Sequence, residues 1–156
     1  MTADAPRVRQ LYANDLDESV KWEGAPRVIT REMFRAFSEM TGDVHPIHYD
    51  DDYASTTRFG KPLAHGLLLM ALTALGATPA SHAFEEAIVA FYSQQCRFLA
   101  PVFVGDTVTS HIRCRSVEQR PGGRTALVTF DVTLVNQHQV AILEGSHAYI
   151  IRCRDV

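Results

Sequence analysis

Asp43, His45 and His48 fall within one short stretch, Asp43-Val44-His45-Pro46-Ile47-His48. Histidine changes charge near neutral pH, and aspartate is ordinarily an anion. An Asp–His pair held on one tight loop can orient a water, take its proton and return one. Pro46 and Ile47 stiffen the stretch, and Pro46 biases His45 away from helical dihedrals. The plain structural alternative is an Asp that caps the following turn beside a His that caps a helix. A metal site would need more donors converging on this loop. Nothing farther along the chain stands out as a third or fourth ligand, so no metal is expected.

A second feature is Pro62-Leu63-Ala64-His65-Gly66, placed where a helix begins. Free backbone N–H groups at a helix start attract anions, and an enolate oxygen developing on a thioester would suit them. Gly66 lets such a group approach closely; the alternative is a glycine chosen only for tight packing. Of the other histidines, His82, His111 and His138 sit in polar or strand-edge settings and read as surface residues. His147 lies on a strand and reads as a buried histidine with a satisfied hydrogen bond.

These residues need elements to position them. Met33, Phe34, Phe37 and Met40 recur at helical spacing after a possible Thr30 cap, and Gly42 ends that helix. Asp50 caps a short helix reaching Arg58, with Asp51 and Asp52 at its positive end. Leu63 to Ala77 is apolar around its whole circumference, which predicts a helix buried on all sides. Beyond residue 86 the period changes to two. Strands are expected over Ile88 to Leu99, around Val108 to Arg115, over Ala126 to Leu134, and over Val140 to Arg152. Pro121-Gly122-Gly123 and Asn136 to Gln139 are turns, and Gly145 is a candidate bulge. The expected fold class is α+β, an antiparallel sheet wrapped around a long buried central helix. Residues 1–20 read as a loosely ordered arm, and 21–156 as one domain. A long exposed sheet edge calls for pairing with a second copy.

Bulk properties narrow the classes. A chain of 156 residues with net charge -3 makes one domain and has no global pull toward nucleic acid. Cys96, Cys114 and Cys153 form no CxxC pair, which speaks against zinc-ribbon and redox readings and for free thiols in a reducing compartment. No apolar leader and no membrane-length stretch is read, so a cytoplasmic location is expected.

Phe37-Ser38-Glu39-Met40-Thr41-Gly42-Asp43-Val44-His45-Pro46-Ile47-His48-Tyr49-Asp50 resembles the hydratase signature of the MaoC-like family. The continuation through Tyr53-Ala54, Phe59-Gly60 and Pro62 to Ala64-His65-Gly66 is similar, as is Pro101-Val102-Phe103-Val104-Gly105-Asp106-Thr107-Val108. The resemblance covers roughly residues 25 to 152. It implies a hot-dog fold, usually dimeric, acting on acyl-CoA or acyl-carrier thioesters as an enoyl-CoA hydratase or 3-hydroxyacyl-CoA dehydratase. It implies Asp43 and His48 as the catalytic pair and the Gly66 N–H as oxyanion donor. His45 and His65 are candidate supporting residues beside them. It implies no cofactor, with CoA serving as the carrier on the substrate. Leu67, Met70, Phe91 and Tyr92 are candidates to line the acyl chain, plain core packing being their alternative. Arg58, Lys61, Arg97 and Arg113 are candidates for the CoA phosphates. The chain departs from the family where Asn often stands, at His45, and where some hydratases carry Ser, at Ala74. A thioesterase on the same fold and a non-catalytic acyl-thioester-binding subunit remain open.

Overall fold

The computed structural model describes residues 8–154. Six strands form one antiparallel sheet: β1 (Lys21–Glu23), β2 (Arg27–Val28), β3 (Ile88–Phe98), β4 (Thr107–Gln119), β5 (Thr125–Asn136) and β6 (Ala141–Arg152). Their order is β1-β4-β5-β6-β3, with β2 also paired to β4. The helices are α1 (Arg31–Thr41), α2 (Asp51–Ser55) and α3 (Gly66–Ala71). Class and strand positions agree with the sequence periodicity. Ala126, Val128, Phe130, Val132 and Leu134 alternate along β5 and are almost wholly buried, as one face of a half-buried strand requires. Trp22 closes this core edge-on, its ring 5.6 Å from Phe84 and 6.0 Å from Phe130.

Both ends of α1 carry the expected caps. Met33 N–H donates to Thr30 Oγ1 at 3.3 Å, and Gly42 adopts φ 77°, a left-handed conformation that glycine reaches without a Cβ penalty. Phe34 and Phe37 enter the core and Met33 is half-buried, but Met40 is 76% exposed. Met40 therefore does not face the core as its spacing predicts. Asp50 caps α2 through Tyr53 N–H at 2.9 Å, although α2 ends at Ser55 rather than Arg58.

Three other expectations change. The apolar run from Leu63 is not one long helix: α3 holds six residues, and short 3-10 turns, Leu75–Ala77 and Pro79–Phe84, continue the chain. Thr73 turns its hydroxyl onto Met70 O at 2.7 Å, Ala74 takes an extended ψ of 138°, and Pro79 starts the second turn. Nor is α3 buried on all sides, since Leu67 is 58% exposed. Gly145 marks no bulge; it sits in register opposite Cys96 and Val132, and an added Cβ would lie 2.1 Å from Gln95 O. It is there for close backbone approach. Residues 8–20 are not a loose arm. Ala13 and Leu16 are buried, Leu11 N–H donates to Ala83 O, and Arg154 binds Asp15 at 3.0 Å. Residues 1–7 lie outside the described residues.

Candidate active site

Gly42 turns the chain out of α1 into the loop that carries Asp43. The Asp43 carboxylate accepts from His45 N–H at 3.3 Å, and His45 Nδ1 accepts from Ile47 N–H at 3.2 Å. This local capping is what the structural reading of the loop anticipates, and it coexists with a chemical arrangement. His48 ends the 3-10 turn Pro46–His48, and its Nδ1 lies 2.7 Å from Leu63 O. A carbonyl only accepts, so Nδ1 carries the proton and Nε2 presents a lone pair. Leu63 is itself fixed: its N–H donates to Ile47 O at 3.3 Å, and the next residue, Ala64, donates to Val102 O at 2.8 Å.

Fifteen residues beyond Asp50 the chain returns as His65, directly ahead of α3. His65 is 2% exposed and packs against four rings. It stacks on His48 at 3.8 Å and 24°, and meets Phe37 at 4.7 Å, Tyr49 at 5.4 Å and Phe34 edge-on at 5.7 Å. Ligand atoms of Asp43, His48 and His65 all lie within 4.8 Å of one another. Among the described residues this is the group of three donors that the sequence did not reveal, because His65 is distant along the chain. Atoms this close let one water reach the Asp43 carboxylate and a ring nitrogen together. For a metal the arrangement is less apt: stacked imidazole planes run their in-plane lone pairs side by side rather than converging. Burial pushes the His65 pKa down and neighbouring His48 adds to this, while Asp43 opposes it. His65 is therefore a neutral imidazole beside the dyad.

A groove of about 320 Å³ opens from His48 and Gly66, walled by Phe59, Leu69, Phe98 and Val102, with Arg58 at its rim. Gly66 begins α3, and a Cβ there would meet Phe98 Cζ at 2.9 Å. Tight packing thus demands glycine at this position, whatever else its N–H does. Leu67, Met70, Phe91 and Tyr92 do not line this groove. Met70 is half-buried against the core, and Phe91 and Tyr92 stand exposed on edge strand β3. Among the phosphate candidates, Arg58 lies over the Phe59 ring and Lys61 over Phe103. Arg97 and Arg113 instead approach Glu144 and Asp131, each at 3.8 Å. Sequence reasoning missed Tyr49, Phe59 and Phe98 as site residues; Tyr49, next to His48, and Phe59 lie within the quoted motif segments, which was their signal.

His147 is buried on β6. Its Nε2 lies 3.3 Å from Thr73 Oγ1, while Nδ1 has no partner among the described residues, so the expected hydrogen bond satisfies half of the ring.

Residues 13–137 match the family profile described as MaoC like domain. The chain belongs to the MaoC-like family. It is 36% identical over 103 residues to a 3-hydroxybutyryl-CoA dehydratase of Methylorubrum extorquens, covering 66% of this chain and 63% of that protein. Over 84 residues it is 33% identical to an (R)-specific enoyl-CoA hydratase of Aeromonas caviae, covering 54% and 60%. The match thus spans less than two thirds of the length of either relative. A solved Archaeoglobus protein described as a monoamine oxidase regulatory protein superposes with TM-score 0.89 at 27% identity, over 96% of this chain and 99% of that one. A Mycobacterium tuberculosis protein with a double hot-dog fold superposes with TM-score 0.73 at 19% identity, over 93% of this chain and 45% of that one. The fold of this MaoC-like chain is accordingly the hot-dog fold. No helix among its described residues is long and apolar enough to cross a membrane.

Proposed function

We propose that this protein adds water to, or removes it from, the double bond of a 2-enoyl thioester, with CoA as the carrier. The observation that carries the reading is the placement of His48: its Nδ1 is tied to Leu63 O, and the residue shares a three-donor cluster with Asp43 and His65. The names of the two curated relatives support the same chemistry.

In the hydration direction the thioester carbonyl draws electrons from the conjugated double bond. A water held between Asp43 and His48 attacks the β-carbon as one of the pair takes its proton. The electron pair of the double bond moves toward the thioester oxygen, which the Gly66 N–H is assigned to stabilise. The α-carbon then takes a proton, the thioester carbonyl re-forms, and one water has been added in total. Dehydration reverses each step. These steps use this chain's own groups, and no metal or redox cofactor enters them. Arg58 and Lys61, which lie near the groove and have no carboxylate within ion-pair distance among the described residues, suit the phosphates of CoA. The three free cysteines support a reducing, cytoplasmic setting.

The test follows two signals with but-2-enoyl-CoA: loss of the conjugated double bond and release of free thiol. The reading expects the first without the second. Asp43→Asn and His48→Gln should each lower turnover by roughly a hundredfold or more. Double-bond loss unchanged in both variants would remove the dyad from the mechanism, and thiol release would point to a thioesterase.

A homodimer is part of the same proposal. Strand β3 is a sheet edge bearing exposed Val89, Phe91 and Tyr92, and Leu67 on α3 is exposed as well. An uncovered apolar edge of this kind invites a second copy. Light scattering across a wide dilution range should give twice the chain mass; a fully active monomer would sink the dimer.

A further inference from the structure

The main chain of the Asp43–Asp50 loop is well tied, but the Asp43 and His48 side chains each make one hydrogen bond among the described residues. The Asp43 side chain accepts one long bond from His45 N–H, and His48 is tied at one nitrogen. What fixes one relative to the other lies outside the pair. Tyr49 places its hydroxyl 2.7 Å from Asp43 O, 3.4 Å from Phe34 O and 2.5 Å from His65 Nε2. The hydroxyl owns one proton, and carbonyls only accept. The arrangement that satisfies most groups sends the Tyr49 proton to Asp43 O and the His65 Nε2–H to the Tyr49 oxygen. His65 then lays its ring flat on His48. Phe34 and Phe37 of α1 grip the same ring, which anchors the assembly to the core.

We propose that Tyr49 and His65 are positioning residues: a buried brace running from the Asp43 main chain through the Tyr49 hydroxyl to His65, and by stacking to His48, that keeps the dyad in register. The proposal rests on the hydratase reading of the same site. The brace works with His65 uncharged. The titratable and charged groups facing it are Asp43, His48 and Tyr49; α1 contributes the two phenylalanine rings. Burial and His48 disfavour its protonation, and its Nδ1 has no acceptor among the described residues to receive a proton's hydrogen bond. A protonated ring there would set a cation against the face of His48. Displacing a catalytic group by an ångström can cost roughly a hundredfold in rate, so a brace of this kind has a measurable value.

Tyr49→Phe removes the hydroxyl and keeps the ring. With but-2-enoyl-CoA it should lower kcat by roughly tenfold to a hundredfold while KM stays within about twofold. His65→Gln, which keeps an N–H donor, should retain more activity than His65→Ala. Tyr49→Phe should cost little further in an Asp43→Asn background, because it acts through Asp43; a merely structural role gives independent, multiplying losses. Imidazole 15N NMR reads the brace without any substrate. The wild-type protein should show His65 neutral with hydrogen on Nε2 and His48 with hydrogen on Nδ1, and Tyr49→Phe should disturb His65. A Tyr49→Phe protein that folds and keeps wild-type kcat overturns the brace, as does His65 with hydrogen on Nδ1. If the wild-type chain hydrates nothing, the functional reading falls, and the spectra decide the brace alone.

Discussion

The sheet interior and the Asp43–His65 site are built on opposite plans. Along β4, β5 and β6 the backbone ladders run nearly unbroken, and the inner residues are sealed and mostly apolar, with Ser110, Ser146 and His147 as buried polar exceptions. The site is made of a 3-10 turn, two loops and the first turn of a six-residue helix, tied by single side-chain bonds over 15 and 16 residues of chain. Apolar burial supplies most of the stability of a fold and places groups loosely; a sparse polar network places them closely and adds little net stability. The molecule keeps these tasks in separate places. Each region nevertheless holds a buried histidine with Nδ1 unpartnered, His147 in the sheet and His65 in the site.

The largest expected effects separate the regions outright. Phe130 is fully buried and touches Trp22 and Tyr149. Phe130→Ala should destabilise by about 3–5 kcal/mol in urea melts and leave kcat of the folded protein unchanged. Asp43→Asn should do the reverse, losing turnover while its unfolding free energy changes by less than about 1 kcal/mol. If both variants lost stability and rate together, the division of labour would be wrong.

A smaller effect concerns acid. Burial holds the pKa of both His147 and His65 below the ordinary value. As pH falls through about 6.5, the unfolded chain takes up protons that the native fold refuses. Stability is therefore complete above that pH and declines below it. Thermal melts from pH 8 to pH 5 should show the decline, and His147→Gln and His65→Gln should each flatten it. A slope unchanged in both would mean that neither histidine is linked to folding.

The smallest effect is electrostatic and confined to the groove. Replacing Arg58 and Lys61 by Ala should raise KM for CoA esters severalfold at low salt and hardly at all at high salt, since exposed charges are screened. The same changes at Arg97 and Arg113, already set against Glu144 and Asp131, should leave KM alone. Equal effects from both pairs would deny the groove its role.

Much of this protein is legible in its sequence. Period-two alternation over Val108 to Arg115 and Ala126 to Leu134 locates two of the strands, because a strand's two faces depend on nearest neighbours alone. Thr30, Gly42 and Asp50 mark helix ends for the same local reason. Asp43 and His48 stand out because the proposed acid–base groups sit within one loop. What depends on distant approach was decided by the tertiary structure. Apolarity predicts a long helix from Leu63, yet the chain turns after Ala71, where Thr73 bonds back to Met70 and packs beneath His147. Helical spacing sends Met40 to the core, but in the fold it stays 76% exposed. Gly145 owes its identity to the Gln95 carbonyl of another strand. The His48 tautomer depends on Leu63 O, and the role of His65 depends on Tyr49 and α1. Residue type and spacing specify which groups are available, but which nitrogen bears a proton follows from the partner that folding brings within 3 Å.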